Sequence, residues 1–120
     1  MSRLAKVILV GLREPRDMQE YITIAKTEQV APGSSLAVDV EGLRIAVFNI
    51  DGQFYAIDDT CTHAEASLAE GDVDGTTVEC ALHGARFDLQ TGDVLAPPAD
   101  RPVAAYKTRV RDGDIQIELE

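Results

Sequence analysis

Leu43-Arg44-Ile45-Ala46-Val47-Phe48-Asn49-Ile50-Asp51-Gly52-Gln53-Phe54-Tyr55-Ala56-Ile57 contains two runs rich in aliphatic and aromatic residues on either side of an Asp-Gly pair. Asp-Gly accepts the positive φ angles of a two-residue type I′ turn, so the spacing predicts antiparallel strands at 43–50 and 53–57. Upstream, Glu41-Gly42 divides the first strand from a loosely alternating run at 35–40, which extends the hairpin to a three-strand meander. Residues 21–26 read as a further strand ahead of Ala31-Pro32-Gly33-Ser34. Toward the other end, 106–111 and 114–119 flank Asp112-Gly113, and Ile115, Ile117 and Leu119 alternate with polar residues, the pattern of a second hairpin with one buried face. There is no strong helix, internal repeat or low-complexity tract, and the fold class is all-β.

At 120 residues and 45% hydrophobic content, the chain has material for one domain and one ordinary core. With no Trp, three Phe and three Tyr, that core is expected to be mostly aliphatic. Eleven Lys and Arg against 21 Asp and Glu leave a net charge of −10, which repels nucleic acid backbones and anionic membranes. The acidity serves solubility on one reading and steering toward a basic protein partner on the other. The apolar run at 7–10 is far short of the ~20 residues of a membrane span. Although Arg3 and Lys6 precede it as in a signal peptide, no small-residue cleavage site follows before Arg13 and Glu14, so a cytoplasmic protein is expected. Residues 1–20 are charged and aperiodic, and read as an extension of the domain at 21–120.

Between the two groups of strands, residues 58–102 are rich in Asp, Gly, Thr and Pro, and they contain every Cys and His of the chain. Loops on a rigid scaffold are where binding chemistry usually sits, so this stretch reads as a ligand-bearing insert. The ligands fall in two clips, Cys61-Thr62-His63 and Cys80-Ala81-Leu82-His83, with sixteen residues between them. Two centres compete for such a set: tetrahedral Cys2His2 zinc, and a [2Fe-2S] cluster in which two His replace two Cys on one iron. Zinc fingers usually place both Cys in one clip and both His in the other. Here each clip holds one of each, which suits a centre where both loops give one ligand to each iron.

Cys-x-His, a sixteen-residue gap and Cys-x-x-His-Gly together resemble the signature of Rieske proteins. The likeness extends to Ser67-Leu68, Glu70-Gly71, Asp74-Gly75, Phe87-Asp88, Thr91-Gly92 and Ala96-Pro97-Pro98, over roughly residues 21–119. The chain looks like the Rieske ferredoxins of bacterial aromatic-ring dioxygenase systems, with one departure at Ala81, where these proteins usually carry Pro or Ser. The resemblance implies an antiparallel β-sandwich with a small cluster-binding subdomain inserted at about 58–102. It also implies one Rieske-type [2Fe-2S] cluster, with Cys61 and Cys80 on the buried iron and His63 and His83 on the outer one. Thiolates stabilise ferric iron, whereas neutral imidazoles favour reduction at their own iron. Gly84 either lets backbone N–H groups approach the cluster or makes a simple turn, and Pro97-Pro98 resembles the loop that covers it.

High-potential Rieske proteins of respiratory complexes resemble this chain but carry a disulfide where it has Ala66 and Leu82, and hydroxyl donors where it has Ala85 and Phe87. Fewer donors to cluster sulfur imply a potential near the low end of the roughly −150 to +300 mV Rieske range. The role that the resemblance implies is electron transfer from a flavin-dependent ferredoxin reductase to a terminal oxygenase. The alternatives are a subunit of another redox complex, such as the small subunit of an assimilatory nitrite reductase, and a non-redox Cys2His2 zinc protein. The two His are both committed to the cluster, leaving none for a two-His-one-carboxylate iron, and there is no Gly-x-Gly-x-x-Gly fingerprint, so no catalytic residue is expected. Asp58, Asp59, Glu65, Glu70 and Asp72 are expected to form an acidic rim around the exposed imidazoles.

Overall fold

Three pairs of left-handed residues set the frame: Glu41-Gly42, Asp51-Gly52 and Asp112-Gly113 all have φ between 50° and 91°. Each closes a two-residue turn whose twist matches that of the strands it joins. The computed structural model describes residues 20–62, 66–82 and 84–119. The expected extension lies outside the described residues except for Glu20, which begins the first strand.

The strands run β1 (Glu20–Lys26), β2 (Ser35–Val40), β3 (Leu43–Ile50), β4 (Gln53–Asp58), β5 (Asp72–Asp74), β6 (Thr77–Glu79), β7 (Arg86–Asp88), β8 (Val94–Ala96), β9 (Ala105–Tyr106), β10 (Thr108–Arg111) and β11 (Asp114–Leu119). All pair antiparallel. Among the described residues they make three sheets, β1-β11-β10, β2-β3-β4-β9 and β5-β6-β7-β8, and no α-helix.

Period-two alternation in β3 explains how the sheets stack. Ile45 and Val47 point to one side and join Ala25, Ile115 and Ile117 of the first sheet in one core. Ala46 and Phe48 point to the other side and join Val78 and Phe87 of the third sheet in a second core. Successive strand side chains face opposite ways, so one strand supplies both cores and the β2-β3-β4-β9 sheet lies in the middle. Asn49, also buried, is satisfied: its Nδ2 donates to the Val30 carbonyl at 2.8 Å and its Oδ1 accepts from the Gly52 amide at 2.7 Å.

The structure departs from the expected strands in two places. The single run expected at 106–111 is split at Lys107. Tyr106 pairs with Ala56 in the middle sheet and Thr108 with Ile117 in the outer one, so the chain changes sheets there. The insert holds a four-stranded sheet of its own, built from three-residue strands too short to show alternation in the sequence.

Candidate metal centre

The first ligand loop leaves β4 and passes through Thr60, Cys61 and Thr62 to Ala66 and Ser67. The second, residues 80–85, joins β6 to β7. Both are closed by a backbone hydrogen bond of the same span: the Cys61 amide donates to the Ala66 carbonyl at 3.0 Å, and the Cys80 amide to the Ala85 carbonyl at 2.7 Å. An isolated bridge between Thr60 and Ser67 supports the base of the first loop.

Both cysteines are 2% exposed and sit in the second core with Leu68, Phe87 and Leu89. They are reduced thiols, not joined in a disulfide, within hydrogen-bonding reach of each other. Burial pushes the Cys80 thiol above its ordinary pKa; the Leu82 amide, donating to its sulfur, pulls it down, and the neighbouring Cys61 thiol raises it again. Two soft donors side by side in an apolar pocket fit the thiolate half of a two-Cys, two-His [2Fe-2S] site, where metal binding displaces both protons. Of the four ligands expected from the sequence, Cys61 and Cys80 are brought together; His63 and His83 lie outside the described residues.

Ala85 and Phe87, fully buried, pack against the thiol pair, whereas Leu82 is 47% exposed. Gly84 has φ +79°, a left-handed turn residue between the second clip and β7. The segment after the cis Pro97–Pro98 bond returns to the same core through Ala99 and Val103. It is tied to the β7–β8 turn where the Val103 amide donates to the Gly92 carbonyl at 2.9 Å.

The acidic rim needs correction. Asp59 is buried, not exposed: its Oδ1 accepts from the Ser67 hydroxyl at 2.8 Å and the Ala69 amide at 2.9 Å, and its Oδ2 from Arg44 Nε at 3.1 Å. Its backbone binds at both ends too, donating to the Arg44 carbonyl and accepting from the Leu68 amide. Asp59 therefore anchors the first ligand loop to the start of β3. Strand parity carried the signal, because Asp59 lies two residues beyond the buried Ile57 and on the same side. Asp58, on the alternate side, is half-buried and accepts from the Tyr106 hydroxyl at 2.6 Å. Glu70 and Asp72 are exposed as expected, and Glu65 lies outside the described residues.

Residues 20–107 match the Rieske [2Fe-2S] domain. The chain is 41% identical over 100 residues to the biphenyl dioxygenase ferredoxin subunit of Pseudomonas sp. (strain KKS102), covering 82% of this chain and 92% of that one. It is 47% identical over 91 residues to the 3-phenylpropionate/cinnamic acid dioxygenase ferredoxin subunit of Escherichia coli (strain K12), covering 75% and 85%. Among solved structures it superimposes, with a TM-score of 0.75 and 33% identity, on a chain from the complex of reduced oxygenase and oxidized ferredoxin in carbazole 1,9a-dioxygenase, covering 82% of this chain and 92% of that one.

Proposed function

Because this chain belongs to the Rieske [2Fe-2S] domain family, we propose that it carries single electrons from a flavin-dependent ferredoxin reductase to a terminal Rieske non-haem iron oxygenase of an aromatic-ring-hydroxylating system. When bound, the cluster supplies reversible one-electron redox chemistry. The observation that carries the reading is the convergence of the Cys61 and Cys80 thiols at the meeting of two loops with the same closing bond.

In this reading Cys61 and Cys80 hold one iron from within the core, and His63 and His83 hold the other. The equal loop closures and the Asp59 anchor keep the two clips in register. Leu68, Phe87 and Leu89 exclude water from the thiolate side. That Ala85 and Phe87 have no hydroxyl to give the cluster supports a potential near the low end of the roughly −150 to +300 mV range. Residues 58–102 then form the cluster-binding subdomain and 1–20 an extension. No helix among the described residues is long and apolar enough to cross a membrane. We assign the work to the cytoplasm, where a nicotinamide-fed reductase operates.

Reconstitution tests this: purified chain, a ferredoxin reductase, an aromatic-ring oxygenase and its substrate are combined, and product is scored with each component left out in turn. Product that depends on this chain is expected. A colourless, zinc-loaded protein that passes no electrons overturns the reading.

A further inference from the structure

Thr62, inside the first clip, and Arg101, in the segment that follows the proline pair, hold each other by two reciprocal hydrogen bonds. The Thr62 hydroxyl donates to the Arg101 carbonyl at 2.8 Å, and the Arg101 guanidinium donates through Nη2 to the Thr62 carbonyl at 3.1 Å. The contact joins residues 39 apart in sequence. On either side of Arg101, Ala99 and Val103 are buried in the core that contains the two cysteines, while Arg101 itself is exposed. The segment is thus anchored from inside by two small apolar residues, at its far end by the Val103–Gly92 backbone bond, and to the first ligand loop by the arginine.

Charge makes the arginine unusual. Between residues 58 and 102 the sequence has two basic residues, Arg86 and Arg101, against ten carboxylates. Arg86 is paired with Glu79 at 3.2 Å. Arg101 instead gives a donor to a backbone carbonyl lying between Cys61 and His63, so its positive charge is held beside the first ligand loop.

We propose that the Thr62–Arg101 clasp is a positioning device: it holds the 97–103 segment closed on the first ligand loop, slows loss of the cluster, and places the Arg101 charge where it favours the reduced state. The proposal rests on the cluster reading above. Thr62 contributes geometry, since its hydroxyl fixes the segment; Arg101 contributes geometry and charge. A cation near a centre that gains an electron stabilises the reduced form, so its removal lowers the potential.

Five variants of the full chain test it: Arg101→Ala, Arg101→Lys, Thr62→Val, Thr62→Ser, and the double variant Arg101→Ala with Thr62→Val. Two quantities are read: bleaching of visible absorbance in excess EDTA, and the midpoint potential. Arg101→Ala and Thr62→Val are expected to bleach about fivefold faster, the scale of one lost net hydrogen bond. The double variant should bleach no faster than the quicker single, and Thr62→Ser should restore the slow rate.

Arg101→Ala should lower the equilibrium constant for reduction about threefold, roughly 30 mV at 59 mV per tenfold. Arg101→Lys and Thr62→Val keep the charge and should leave the potential in place. Bleaching within twofold of wild type in both single variants, or additive effects in the double, overturns the clasp; an unchanged potential in Arg101→Ala overturns the charge role. If Arg101→Ala cannot be purified with its cluster, Thr62→Val against Thr62→Ser still decides the clasp, and Arg101→Gln against Arg101→Lys the charge role. Failure of the cluster reading looks different, because the wild-type protein would then be colourless.

Discussion

Ala85 and Phe87 are fully buried in the core that contains the two thiols, and neither has a hydroxyl to donate. A donor to cluster sulfur stabilises the added electron, so chemistry absent from these two residues sets the expected potential. Phe87→Tyr should raise it by about 40 mV, the equivalent of one net hydrogen bond of about 1 kcal/mol on a one-electron couple, read by potentiometric titration. No rise in a variant that keeps its cluster would mean that the hydroxyl finds no sulfur. At this scale the sequence was informative about which thiols meet, because Cys61 and Cys80 are the only cysteines and the fold brings them together. It was misleading about Asp59, which sequence position placed on a solvated rim. A carboxylate that meets a hydroxyl and an amide from residues 67–69 and a guanidinium from residue 44 has its partners only after those two segments have folded together.

At the scale of elements, the turns were the most legible feature. Glu41-Gly42, Asp51-Gly52 and Asp112-Gly113 each specify a local backbone shape without help from distant residues, and all three hairpins formed where they were expected. Not legible were β5 to β8, and the change of sheets at Lys107, where tertiary packing decides which neighbour a strand takes. Gly92 belongs to this hidden class. Its φ is +82°, and a Cβ there would collide with the Val103 carbonyl oxygen, whereas Gly52, at +91°, opens onto free space. Gly52→Ala should cost about 1 kcal/mol, the backbone penalty alone. Gly92→Ala should cost about 3 kcal/mol in chemical denaturation, because backbone must also move. Equal costs would show that the close approach is easily relieved. The strand that changes sheets also carries a pH signature. Burial, followed by the hydrogen bond and charge of Asp58, raises the Tyr106 phenol above its ordinary value of 10.0. Above about pH 10 the unfolded chain releases this proton and the folded chain retains it, so stability is complete below that pH and falls as pH rises through it. Urea midpoints should decline between about pH 9.5 and 11, less steeply in Tyr106→Phe; identical slopes would remove Tyr106 as the cause.

For the whole molecule, one middle sheet serves two cores, and the β5-β6-β7-β8 sheet lies on the side away from β1-β11-β10. The all-β class could be read from the meander and the two clips from their spacing, while the three-layer stacking became visible only with β3 buried on both faces. Net charge also acts at this scale. With −10 on 120 residues, encounter with a basic partner surface should be steered, and reductase turnover should fall several-fold between about 20 and 300 mM salt as screening sets in. A rate insensitive to salt assigns the acidity to solubility. The central claim is that Cys61, His63, Cys80 and His83 hold one [2Fe-2S] cluster, and electron paramagnetic resonance of the purified chain, with nitrogen couplings resolved by electron–nuclear double resonance, tests it most directly. The account expects no signal in the oxidised protein, about one spin per chain after one-electron reduction, and couplings from two imidazole nitrogens that are lost when either His is replaced. A silent, colourless protein, or a reduced signal without nitrogen couplings, would contradict it.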